Sequence, residues 1–315
     1  MYRALAAGVL AVLWFAGSAQ AASKPAAATG GVAAVTFQSA RLIGTVNLHG
    51  AATTIYFQYG TTTRYGANTP AVPVGAGTAN KRVTADIAGL VPNKKYHYRL
   101  VAENPQGVVS GADRTFTTKK QPLGLALAAT PNPVPFGGTT TLGGTLAGTG
   151  SANRAVVLQG NPFPYTQGFQ QVGNTLVTNA QGQFAFPLLS VPLNTQYRVV
   201  VSNNAAVASP IVNVGVAVIV STHLRTRHRG GKLYARFSGT VQPARDGAQV
   251  AFQRKHGSTW VTVNGTITHH ASTSRSSYRK TIRIKRGGTY RVLVGIVDGN
   301  FVSNAGRDVH LKVHG

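Results

Sequence analysis

The chain carries only six carboxylates: Asp86, Glu103, Asp113, Asp246, Asp298 and Asp308. Hydrolysis of a glycosidic bond needs two carboxylates held about 5–10 Å apart, and these six fall singly along the sequence. No Gly-x-Ser-x-Gly elbow, His-Glu-x-x-His, phosphate-binding loop or calcium loop occurs. A Ser/His/Asp triad would have to be assembled from distant residues such as His97 and Asp113, and a solvated histidine on a strand face is the plainer reading. The absence of cysteine excludes thiol nucleophiles, iron–sulfur clusters and disulfides. Seven of the nine histidines lie after residue 215. Adjacent His269 and His270 would point to opposite faces of a strand, however, and nothing completes a metal site around them. No catalytic residue, cofactor or metal site is expected.

Charge offers a different chemistry. The 315 residues hold 31 Lys and Arg, for a net charge of +25. The excess is uneven: residues 216–315 contain seventeen cations and three acids, whereas 121–215 contain two cations and no acid. Arg225, Arg227 and Arg229 alternate with Leu224, Thr226 and His228. Arg279, Arg283 and Lys285 interleave with Ile282 and Ile284, and Arg291 sits between Tyr290 and Val292. On strands, each set lines one face, and such ladders make a positive surface able to hold a polyanion. The bland alternative is general solubility.

Positioning such ladders requires strands. The composition favours Thr, Val, Gly, Asn and Tyr over the Glu, Lys and Leu of helix faces. Leu42, Gly44, Val46 and Leu48 alternate against Arg41 and Asn47. Tyr96, Tyr98, Leu100 and Ala102 do the same against His97, Arg99 and Glu103. Ahead of these, residues 1–21 read as a secretory signal: Arg3, an apolar run from Ala4 to Ala16, and the small-x-small site Ala19-Gln20-Ala21. That run is shorter than the ~20 residues of a membrane span, so the mature chain is expected to carry no span. Residues 22–31 read as a small-residue linker. Tyr197-Arg198-Val199-Val200-Val201 recurs as Tyr290-Arg291-Val292-Leu293-Val294, and Val156-Val157-Leu158-Gln159 as Val250-Ala251-Phe252-Gln253. A sandwich-sized unit is therefore repeated over 122–215 and 216–315.

The stretch from Gly89 to Arg99 (Gly-Leu-Val-Pro-Asn-Lys-Lys-Tyr-His-Tyr-Arg), with Ala102-Glu103-Asn104-Pro105, resembles the E–F corner and F strand of a fibronectin type III domain. Tyr59-Gly60-Thr61-Thr62-Thr63-Arg64-Tyr65-Gly66 and Thr115-Phe116-Thr117-Thr118 resemble a variant of that family found in secreted bacterial proteins. The resemblance covers 32–118 and implies that Tyr96 forms a tyrosine corner. The two following units resemble bacterial Ig-like repeats. The whole is similar to secreted actinobacterial proteins that contain fibronectin type III domains.

These readings together imply an all-β protein of three tandem β-sandwich domains, exported and non-catalytic, which binds or spaces at the cell envelope. The expected partner is an anionic cell-wall polymer, such as a teichoic-type chain, or an acidic polysaccharide. A specific nucleic acid is not expected, although DNA would bind in solution. The alternatives are an accessory role in an extracellular polysaccharide-degrading system and a structural spacer without a ligand. In the middle unit, Phe163, Tyr165 and Phe169 form an aromatic-rich loop that either binds or packs on its own sandwich. Trp260 is read as a core residue in preference to a ligand platform.

Overall fold

The computed structural model describes residues 21–313, so the expected signal, but for its last residue, lies outside the described residues. Among these residues every regular element is a strand, and the chain divides into two compact units at Gln121 and Pro122. The first unit is one β-sandwich. Its first sheet has the order β1 (Ala26–Ala33), β2 (Ala40–Asn47), β6 (Asn80–Ile87). The second is built on β3 (Thr53–Gly60) and β7 (Lys95–Asn104). Short β4 (Ala67–Asn68) and β5 (Val72–Gly75) add to β3, and β8 (Gly107–Ser110) and β9 (Arg114–Thr117) add to β7. Leu42, Val46, Phe57 and Leu100 are fully buried between the sheets, as alternation requires.

Two features depart from the sequence reading or refine it. The stretch expected as a linker forms β1 instead. It pairs with β2 from Ala26↔Asn47 to Ala33↔Arg41, and Thr29 accepts the Leu100 N–H on its hydroxyl at 3.1 Å. Tyr96 is buried, and its hydroxyl accepts the Val91 N–H at 3.0 Å across the corner. Tyr96→Phe leaves that N–H without its acceptor. It should lower the stability of the first unit by about 1–3 kcal/mol, which a thermal melt of the full chain reads as a lower midpoint for one transition only.

The second unit holds two more sandwiches. In the middle one, the sheet β10 (Gly124–Thr130), β12 (Thr140–Ala147), β16 (Gln183–Leu188) faces a sheet centred on β13 (Ala155–Pro162) and β17 (Thr195–Val201). That second sheet is flanked by β14 (Gln170–Gln171), β15 (Leu176–Val177), β18 (Asn204–Ala208) and β19 (Val212–Val214). In the last sandwich, β23 (Lys232–Gln242) and β27 (Arg275–Ile284) carry β21 (Ile219–Val220), β22 (His223–Arg229) and β26 (His269–Ser272). The opposite sheet joins β24 (Gln249–His256) and β28 (Gly288–Gly295) to β25 (Thr259–Ile267), β29 (Asn304–Ala305) and β30 (Val309–Leu311).

These two sandwiches are fused rather than merely consecutive. β11 (Val134–Pro135) of the middle sandwich pairs in parallel with β20 (Val216–Ala217), and Val302 of the last sandwich donates its N–H to Val216 at 2.7 Å. Val216 and Val218 are fully buried in a single hydrophobic cluster that runs from Leu125 to Leu311. The boundary read near 215 is thus a shared strand. Phe163, from the aromatic loop, lies against Gly299 of the neighbouring sandwich, where a Cβ would come within 2.5 Å of its ring. Asn194 donates its amide to the Gly299 carbonyl at 2.8 Å. The loop therefore packs at the joint, not solely on its own sandwich.

All three sandwiches carry one signature. Leu42-Ile43-Gly44-Thr45-Val46 corresponds to Leu142-Gly143-Gly144-Thr145-Leu146 and to Phe237-Ser238-Gly239-Thr240-Val241. The glycine leaves room for a close neighbour: a Cβ at Gly144 would lie 2.0 Å from the Ala126 carbonyl oxygen, at Gly239 1.9 Å from that of Ser221, and at Gly44 2.8 Å from the Leu100 side chain.

Candidate polyanion-binding face

Strand pairing decides which basic residues share a surface, because directly paired residues point to the same side. Along β22, β23 and β27 the outward rows are His223–Ser238–Arg279, Arg225–Arg236–Thr281 and Arg227–Tyr234–Arg283, closed by Arg229–Lys232. The intervening positions point inward: Leu224 packs on the core, and Leu233, Phe237, Ile282 and Ile284 are buried. Arg225, Arg227, Arg229, Arg279 and Arg283 are therefore brought together on one exposed face. Lys285 lies one residue past the end of β27 at its rim. Three further cations were missed in the sequence. Lys232 and Arg236 come from the neighbouring strand, and Arg307 arrives from the stretch between β29 and β30. With Arg225, Arg236 and Arg279, Arg307 lines a depression of about 430 Å³. Lys232 and Arg236 are separated by Tyr234 on β23 and Arg307 lies outside any strand, so none of them forms a run of alternating cations that periodicity alone would single out.

Tyr234 sits at the centre of this lattice and, with Arg225, Arg227 and Arg236, lines a second depression of about 290 Å³. The face is pinned from beneath by Tyr278. This buried phenol donates to the Ser221 carbonyl at 2.8 Å and lies 2.9 Å from the Thr222 hydroxyl. Burial pushes its pKa up to about 12, so it remains a neutral donor where β21 passes into β22.

Two of the three acids of the last sandwich are engaged with other partners. Asp298 pairs with Arg245 at 3.3 Å, beside Phe301 at the joint. Asp246 accepts the Ser276 hydroxyl and lies 3.2 Å from His270 Nδ1. Among the described residues no ion pair involves any arginine of the face. The Ser276 hydrogen bond, with His270 helping, holds the Asp246 carboxyl below its ordinary value of 3.8. A carboxyl depressed on folding stabilises the native state above its unfolded pKa, and the contribution fades as pH falls through the lower folded value. Acid titration followed by circular dichroism should thus show a steeper loss of stability below about pH 4 in the native chain than in Asp246→Asn. Equal acid limbs would remove this role.

Arg291 does not belong to the face. It projects from the opposite sheet, donates to Gln253 Oε1 at 2.8 Å, and lies 4.2 Å from the centroid of the Trp260 ring. Trp260 is half-buried beneath this guanidinium and is not a core residue. The same seat occurs three times. Arg198 donates to Gln159 at 2.8 Å and covers Phe169 at 4.3 Å. Arg99 donates to Gln58 at 2.7 Å and covers Tyr65 at 4.8 Å. Each arginine is held by a cross-strand glutamine and an aromatic ring, a cation–π arrangement that serves packing.

His97 and Asp113 do meet, with Nδ1 2.8 Å from Oδ2, and the other carboxylate oxygen accepts the Tyr65 hydroxyl at 3.0 Å. Among the described residues no serine hydroxyl is bonded to His97. Likewise, among these residues no three His, Asp or Glu side chains gather as metal ligands.

No protein-family model and no curated protein matches the chain. Solved structures resemble it at low identity. A run of titin domains superposes with a TM-score of 0.39 at 13% identity, over 92% of this chain and 99% of that one. The chicken CNTN1 FN1-FN3 domains give 0.28 at 12%, over 92% and 99%. A tetra-tandem repeat from the extending region of a large adhesion protein gives 0.27 at 16%, over 93% and 75%. The strand orders of the chain itself carry its fold, which is all-β and built of tandem β-sandwiches.

Proposed function

We propose that this is an exported, non-catalytic envelope protein whose last sandwich holds an anionic polymer of the cell surface on the outer face of β22, β23 and β27. One observation carries the reading: Arg225, Arg227, Arg229, Arg236, Arg279 and Arg283 share a folded surface with no carboxylate paired to any of them among the described residues. Outward residues two apart on a strand are about 6.7 Å apart and neighbouring strands about 4.8 Å. Several charges of one extended polymer can therefore be met at once. The first and middle sandwiches act as spacers that present this face.

The test uses dextran sulfate and polyphosphate as probes at about 0.15 M salt. Arg225→Gln, Arg227→Gln and Arg229→Gln together should weaken binding at least about tenfold. Arg198→Gln, in the nearly uncharged middle sandwich, should leave it unchanged. Equal losses in the two proteins would refute a localised site.

A further inference from the structure

The last sandwich is open along one side. β27 pairs with β23 through most of its length, but β26 covers its other edge only at Arg275, Ser276 and Ser277. From Arg279 to Ile284 that edge has no strand partner among the described residues. β25 pairs only with β24. Between these two edges runs a groove of about 580 Å³, with Ile282 and Ile284 in its wall and Arg254, Arg283, Lys285 and Arg286 around it.

A free strand edge presents backbone N–H and C=O groups at strand spacing, and only another polypeptide matches them group for group. The register then states what side chains that polypeptide needs. Ile282 and Ile284 point inward, whereas Thr281, Arg283 and Lys285 follow the outward positions. An added strand would set alternate residues beside the isoleucines and the others beside the cations. Lys280 stands opposite Phe237 in the inward register and is nevertheless exposed. An inward lysine blunts an edge against indiscriminate pairing, and here it confines the apolar residues of an added strand to the stretch beside Ile282 and Ile284. This chain cannot supply the complement itself, because no two of its six acids are two residues apart.

We propose that the free edge of β27 and its groove dock an extended segment of a partner protein in which acidic and apolar residues alternate, added as a further strand. The site is distinct from the polymer face, although Arg283 and Lys285 border both.

The experiment titrates the full chain with a labelled octapeptide of alternating Glu and Val at about 0.15 M salt. A block peptide of the same composition should bind at least about tenfold more weakly. Of two peptides N-methylated on alternate amides, one frame should lose binding and the other keep it, since only one edge pairs. Arg254→Glu with Arg286→Glu should weaken the alternating peptide about tenfold or more, with an unchanged thermal midpoint and undiminished binding of dextran sulfate. The triple Arg225, Arg227 and Arg229→Gln variant should bind the peptide within about threefold of the native chain, because those residues lie off the groove. Equal binding of the block peptide, or indifference to both methylation frames, would reduce the effect to charge attraction and overturn strand addition. Anionic phospholipid vesicles that bind in an Arg254- and Arg286-dependent way, with no peptide binding, would overturn it in favour of a lipid.

Discussion

Val218→Asp should unfold both sandwiches of the second unit in one step. Val218 is fully buried where β20 leads into β21, in a cluster to which both sandwiches contribute. Around it the backbone is already committed: Val218 donates to the Val302 carbonyl at 3.2 Å, and Asn304 donates its amide to the Val218 carbonyl at 2.8 Å. A carboxyl placed there must either ionise in an apolar site or take up a proton without a partner. Either costs several kcal/mol, of order 3–5, which is a large share of the stability of a domain. Because the cluster is continuous, the loss should lower one shared transition of residues 122–315 and leave the first unit's transition in place. Calorimetry on the full chain separates the outcomes. Two independent transitions within the second unit, only one of them shifted, would contradict the fused core.

How much of this was legible in the sequence depended on side-chain size and spacing. Strands with large alternating residues, such as Leu42 to Leu48 and Tyr96 to Ala102, declare their inner faces. β1 does not, because Ala26-Ala27-Ala28-Thr29-Gly30-Gly31 has little bulk to alternate, and its strand character comes from pairing with β2. The repeat of the last two units was legible, yet the first sandwich is a third copy. Its Gly44, Gln58 and Arg99 match Gly144, Gln159 and Arg198, at spacings slightly longer than those between the last two. Those matches become evident only when cross-strand partners are known, as in Gln58↔Arg99 and Gln253↔Arg291. The same knowledge removes Arg291 from the basic face and adds Arg236. Periodicity within one strand finds a ladder, while the neighbours that complete a surface are fixed by long-range register.

Reversing the ladder should have the largest effect on binding. Arg225, Arg227 and Arg229 occupy the exposed outer strand, where each side chain points to water and supports no core contact. Replacing all three by Glu leaves Leu224 and the pairing with β23 intact, so stability should change by less than about 1 kcal/mol. Affinity for a polyanion should fall more than about a hundredfold, since attraction is lost and repulsion added beside Arg236 and Arg279. Arg291→Glu serves as the opposing control. It should cost stability through Gln253 and Trp260 and leave polymer binding nearly unchanged. A reversed ladder that still bound polyphosphate as the native chain does would place the contact elsewhere.

The central claim is electrostatic capture by one face, and its most direct measurement is affinity against salt. Dextran sulfate binding to the native chain, titrated from about 0.05 to 0.3 M salt, should give log K falling linearly with log salt, each phosphate-like contact contributing a slope near one. In the Arg225, Arg227 and Arg229→Gln protein the slope should be shallower by about two to three, one unit for each contact removed. A native slope near zero, or an unchanged slope in the triple variant, would contradict the account.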